Sequence, residues 1–157
     1  MTSGGGLTLR LAGAGLCWRL PLCREELRQA LAVMLEAVDG GPAELDLVLV
    51  RDAAMAACNA RYMGCPGPTN VLSFPLEEEL AEASAPDGPQ TFQLGSLVLS
   101  VDAVRREAGL YGQDPREHCL RLLAHGLGHL AGYDHGPEMD TLCAAMLEAA
   151  QRWLNAQ

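Results

Sequence analysis

The chain has 157 residues, 49% of them hydrophobic, and a formal net charge of −9. That length suits one domain with an ordinary core, and the acidic balance argues against a broad basic surface for non-specific nucleic-acid binding. No run reaches the ~18 apolar residues of a membrane helix, no basic-then-apolar leader opens the chain, and the six cysteines form no C-x-x-C pair, so we expect a cytoplasmic protein with reduced thiols and no membrane partner.

In chain order, residues 1–6 read as a flexible tail and residues 7–157 as a single metal-binding domain. Leu7 to Leu11 alternates as a strand does. The glycine-rich piece from Ala12 to Cys17 reads as a loop. Pro21 suits the first turn of a helix reaching Val38, with Leu27, Ala30, Leu31 and Met34 on its core stripe. Glu44 to Val50 is a second strand: Leu45, Leu47 and Leu49 line one face, and Val48 and Val50 make the other apolar enough to be covered as well. Asp52 reads as the cap of a helix from Ala53 to Met63.

Gly64 to Pro68 is a loop by composition, and Cys65 within it is the cysteine to watch for reactivity. Val71 to Phe74 is a short strand stopped by Pro75, which belongs at a sheet edge. Glu77 to Pro89 is acidic and loop-like. Gln93 to Ser100 is a further strand, placed to pair antiparallel with residues 71–74. Asp102 to Leu110 reads as a short helix. Asp114 and Pro115 mark the start of the next helix as cap and first residue. The last helix follows Gly136 and Pro137 and buries Met139, Leu142, Met146 and Ala150. Strands and helices do not follow a regular β-α-β rhythm, so the expected class is α+β: a small mixed sheet with helices packed over it.

The chemistry concentrates in one stretch, His125-Gly126-Leu127-Gly128-His129-Leu130-Ala131-Gly132-Tyr133-Asp134-His135, which holds three of the four histidines. On a helix a step of four residues returns to nearly the same face, so His125 and His129 point together. Gly132 suits a helix end, after which the chain turns and His135 brings a third imidazole. Three neutral imidazoles with an open fourth position make a catalytic-type zinc site, although nickel or cobalt would accept the same donors. Leu120, Leu123, Leu127 and Leu130 form the opposite, core-facing side of the helix. Gly128 and Gly132 fall on the histidine side, which they are expected to thin. His118 lies about 10 Å up the axis from His125, too far to share an ion, and reads as a cleft or surface histidine.

The pattern H-x-x-x-H-x-x-G-x-x-H is the ligand spacing of the metzincin proteases, which carry a glutamate after the first histidine as general base. Here that position is Gly126, which argues against peptide hydrolysis.

The same stretch, as H-G-x-x-H-L-x-G-Y-D-H, resembles the signature of the YbeY family of bacterial metal-dependent endoribonucleases. The family usually has a bulky residue where Gly128 stands. Two further blocks match in order. Asn59-Ala60-Arg61-Tyr62 followed by Pro68-Thr69-Asn70-Val71-Leu72-Ser73-Phe74-Pro75 is similar to the family's N-x-x-Y-R…P-T-x-V-L-S-F-P. Leu94-Gly95-Ser96-Leu97-Val98-Leu99-Ser100 is similar to its L-G-D-I-x-I-S strand.

The resemblance implies a four-stranded sheet with one antiparallel strand and a zinc-site helix beneath a cleft. It implies one zinc ion per chain on His125, His129 and His135, and cleavage of single-stranded RNA in 16S rRNA 3′-end maturation and ribosome quality control. The implied partners are ribosomal RNA and the small ribosomal subunit or its proteins, with no DNA. Asn59, Asn70 and Ser73 are cleft residues by the same resemblance, and Arg61 is the nearest candidate cation. Asp134 either orients a ligand histidine or caps the turn before His135. Four positions depart from the family pattern. Met63 stands for the arginine after the tyrosine, Cys65 for a lysine, Pro66 for an acidic residue and Ser96 for the aspartate of L-G-D. Methionine cannot bind phosphate as an arginine fork does. The alternative expectation is therefore a zinc-stabilised ribosome-assembly protein with little or no catalysis.

Overall fold

A computed structural model describes residues 6–38, 40–65, 67, 69–76 and 92–157. Residues 1–5 of the expected tail, Pro66 and Pro68, and the acidic stretch from Glu77 to Pro89 lie outside the described residues.

Four strands form one mixed sheet: β1 (Leu7–Ala12), β2 (Ala43–Val50), β3 (Val71–Pro75) and β4 (Phe92–Ser100), in the order β1-β2-β4-β3. β2 runs parallel to β1 and to β4, while β3 is the antiparallel edge strand. The helices are α1 (Arg24–Ala37), α2 (Asp52–Met63), α3 (Val101–Tyr111), α4 (Pro115–Leu130) and α5 (Pro137–Asn155). The expected α+β class and the single antiparallel strand are both present.

Alternation along the strands decides what covers each face of the sheet. Leu45, Leu47 and Leu49 of β2 meet Leu97 and Leu99 of β4 in the main core, with Leu27, Leu31 and Met34 of α1 and Leu120, Leu123 and Leu127 of α4. On the other face Val48, Val50, Leu72, Phe74 and Val98 pack with Met55 and Cys58 of α2. Both faces are therefore covered, although four of the five helices lie with the main core or at its rim. The register between β2 and β4 slips next to Leu45, where Gly95 is paired. Gly95 has a φ of +116°, and a Cβ there would lie 2.3 Å from the Phe74 carbonyl oxygen, so glycine is required.

Three local expectations are corrected. The helix expected from Pro21 begins at Arg24 because Cys23 is extended and its N–H donates to Glu26 Oε1 at 2.9 Å, closing a capping box. Part of the glycine-rich loop is a 3-10 helix, Ala14–Arg19. Asp52 is the first helical residue of α2, and Arg51 occupies the cap position. The Asp52 carboxylate instead accepts from Ser100 Oγ at 3.1 Å and from Arg106 at 2.6 Å, tying α2 to α3. No helix among the described residues is long and apolar enough to cross a membrane.

Candidate metal centre and cleft

α4 begins as its sequence dictates. The Asp114 side chain accepts from the Arg116 N–H at 2.8 Å, and Pro115 occupies the first position. The helix buries Leu120, Leu123, Leu127 and Leu130 and leaves His125 and His129 half-buried. Gly132, at φ +94°, ends it. The Gly132 N–H donates to the His129 carbonyl at 3.0 Å and the Tyr133 N–H to the Gly128 carbonyl at 3.2 Å. This pair of bonds is a Schellman motif. It reverses the chain within one turn and brings His135 back beside the helix.

The three imidazoles converge. Ring centroids are 4.6 Å apart for His125 and His129, 5.2 Å for His125 and His135, and 4.9 Å for His129 and His135. One nitrogen from each ring lies within 4.8 Å of the others. The Nε2 atoms of His125 and His129 are 3.1 Å apart, close to the ~3.3 Å expected between two ligands on a tetrahedral ion with bonds of about 2.0–2.1 Å.

The same helix end selects the tautomer of His129. Its Nδ1 lies 3.0 Å from the Tyr133 carbonyl oxygen. A carbonyl accepts, so Nδ1 carries the proton and Nε2 keeps its lone pair for a metal. Burial, with the neighbouring imidazoles His129 and His135, pushes the His125 pKa below its ordinary 6.5. Its neutral, ligating form is therefore the dominant one at pH 7. The donor set fits a divalent metal that favours nitrogen ligands.

The histidines form one wall of a cleft of about 560 Å³. Tyr133 and Asp134 continue that wall, and Met63, Thr69, Asn70, Ser73 and Pro75 line the opposite side. The two walls are joined directly: Ser73 Oγ donates to the Gly126 carbonyl at 2.9 Å. Apart from the histidines, Asp134 is the only side chain with a formal charge among the described lining residues.

The expected cleft residues separate here. Asn70 and Ser73 line the cleft, and Asn59 and Arg61 do not. Asn59 is buried, and its Nδ2 donates to the Gly67 carbonyl at 2.9 Å, bracing the loop after α2. Arg61 is exposed, its guanidinium carbon 5.3 Å from the centre of the Tyr62 ring. Asp134 lines the cleft, but the group that orients His129 is the Tyr133 carbonyl.

Two readings of the helix faces are corrected. His118 is neither a cleft nor a surface residue: it is 4% exposed, with Nε2 2.8 Å from Glu107 Oε1. Gly128 does not thin the metal wall. A Cβ there would lie 2.6 Å from the end of Met139, so this glycine admits α5, while a Cβ at Gly126 would lie 2.7 Å from Leu97 of β4. Sequence reasoning treated the helix as two faces, but these glycines occupy the flanks between them. It also missed the pairing of His118 with Glu107, for which a histidine two turns from the motif and a glutamate within an amphipathic helix were the available signals.

An α+β fold that brings three imidazoles together at a helix end and the turn after it, on the wall of a cleft, defines a class of proteins whose site could hold a metal ion. A family model described as Endoribonuclease YbeY matches residues 21–156. Endoribonuclease YbeY of Nitratidesulfovibrio vulgaris is 48% identical over 147 residues, which cover 85% of this chain and 88% of the relative. The protein of the same name from Lawsonia intracellularis is 44% identical over 138 residues, covering 87% and 92%. The solution structure of TM1509 from Thermotoga maritima shares the fold, with a TM-score of 0.59 at 23% identity over 95% of this chain and 93% of that one. The chain belongs to the YbeY family.

Proposed function

We propose that this chain is a metal-dependent endoribonuclease that holds one zinc ion on His125, His129 and His135. Its substrate is single-stranded ribosomal RNA, cleaved in 16S rRNA 3′-end maturation and ribosome quality control in the cytoplasm. The observation that carries the reading is the convergence of three imidazole nitrogens within 4.8 Å at the wall of an open cleft. Relatives of 35–48% identity carry the name Endoribonuclease YbeY, which supports the RNA substrate.

Zinc, when bound, supplies Lewis acidity toward a phosphoryl oxygen and lowers the pKa of a water toward ~7. The chain does the rest. The Tyr133 carbonyl keeps His129 in the ligating tautomer. Gly126, where a peptidase would place its glutamate, leaves no side-chain base at that position. On the far wall, the Asn70 amide can donate to a phosphate oxygen, and Ser73 Oγ, its proton spent on the Gly126 carbonyl, can accept from a ribose hydroxyl.

A second reading has a specific observation behind it. Met63 is 46% exposed and lines the cleft where the family pattern has arginine, and no Lys or Arg stands among the lining residues. That absence favours a zinc-stabilised protein that binds the small ribosomal subunit or its proteins during assembly and cleaves little.

One experiment separates the two. Zinc-loaded protein and its His125→Ala variant are incubated with a single-stranded RNA carrying the 3′ region of 16S rRNA. Cleavage by the wild type alone supports the nuclease. An inactive wild type that still co-sediments with small subunits supports the assembly protein.

A further inference from the structure

We propose that Glu107 and His118 are positioning residues that hold the carboxamide of Asn70 so that its remaining N–H faces the substrate in the cleft. The proposal rests on reading the cleft as an RNA site.

Asn70 sits just before β3 and lines the cleft. The Val71 N–H donates to its Oδ1 at 2.7 Å, and only an oxygen can accept there. The amide nitrogen therefore faces Glu107 of α3, at 3.2 and 3.4 Å from the two carboxylate oxygens. The backbone is pinned as well, because the Ser100 N–H donates to the Asn70 carbonyl at 2.9 Å. On this proposal one amide N–H is taken by the carboxylate and the other serves the cleft that Asn70 lines. Its natural partner is a phosphate or base oxygen of single-stranded RNA.

Glu107 is fixed in turn from behind. His118 of α4 places Nε2 2.8 Å from Glu107 Oε1. The other ring nitrogen, Nδ1, is buried and has no hydrogen-bond partner. A proton there would be a buried donor without an acceptor, costlier than a bare lone pair. The proton therefore resides on Nε2 and is donated to Glu107, which accepts from both neighbours. The Val71 N–H and Glu107 thus hold the carboxamide directly, and His118 acts on it through Glu107, in a wall with no Arg among its described lining residues.

The test uses full-length, zinc-loaded protein and a single-stranded RNA oligonucleotide. Asn70→Ala and Glu107→Ala should each lower kcat/KM on the order of tenfold without loss of zinc. Because they remove one device, the double variant should be no worse than either single. Glu107→Gln keeps an acceptor for Asn70 and should retain most of the activity. The proposal is overturned if Glu107→Ala stays within about twofold of wild type while Asn70→Ala does not, or if the losses multiply. An inactive wild type would remove the RNA reading alone. The positioning claim would then be decided by NMR of the Asn70 side-chain amide, whose two N–H signals must shift in Glu107→Gln; unchanged signals overturn it.

Discussion

The two walls of the cleft are built differently. The metal wall is local: eleven consecutive residues at the end of α4 supply all three imidazoles, the carbonyl that orients His129, and the glycine that turns the chain. The far wall is assembled from distant parts. It takes Met63 from α2 and Asn70 and Ser73 from the edge strand and its approach, with Glu107 and His118 behind it. Local turn chemistry specifies the first wall, and packing of the sheet against the helices specifies the second. Catalytic power needs both, because an ion alone does not fix a flexible strand.

Five substitutions, four in the walls and one outside them, test that contrast, in decreasing order of expected effect. His135→Ala removes the ligand that only the Schellman turn supplies. It should lower RNA cleavage at least a hundredfold, or about 2.7 kcal/mol of transition-state stabilisation, with little change in thermal midpoint of the metal-free protein. Gly126→Ala strikes where the walls meet. Its Cβ would lie 2.7 Å from Leu97 and 3.3 Å from Val71, so urea unfolding should show a loss of about 2 kcal/mol. Gly128→Ala should cost less, because the group it meets is the flexible end of Met139.

Met63→Arg adds to the far wall the cation it lacks. Cleavage should rise on the order of tenfold, with a steeper fall as salt is added. No gain would mean that the wall is limited by something other than charge. The smallest effect lies outside both walls. Asp102 accepts from the Asp52 N–H at 3.0 Å and from Arg51 at 3.2 Å, which hold its carboxyl below the ordinary 3.8. A depressed carboxyl contributes stability that is present above the unfolded pKa and lost as pH falls through the folded one. Asp102→Asn should therefore destabilise by about 1 kcal/mol at pH 7. The gap from wild type should close below pH ~3.8, as read from urea midpoints across pH.

The same contrast explains what could be read from the sequence. The strands, the edge position of β3 and the convergence of His125, His129 and His135 follow from periodicity, proline placement and a four-then-six spacing, all of them short-range. Boundaries failed where a second device competed. The Cys23–Glu26 capping box moved the start of α1, and Asp52 was drawn to Arg106 and Ser100 instead of capping α2. Asn59 and His118 were misplaced because their partners, Gly67 and Glu107, are set by tertiary folding. A helical wheel cannot say which neighbour lies on a flank, so the packing roles of Gly126 and Gly128 stayed hidden until the sheet and α5 were in place.

The central claim is that three imidazoles form one metal site, and elemental analysis of the untagged protein beside His129→Ala tests it most directly. The account predicts about one zinc per chain in the wild type and none retained by the variant after dialysis. A wild type that holds no metal and takes up none from added zinc, or a variant that binds as well as the wild type, would contradict it.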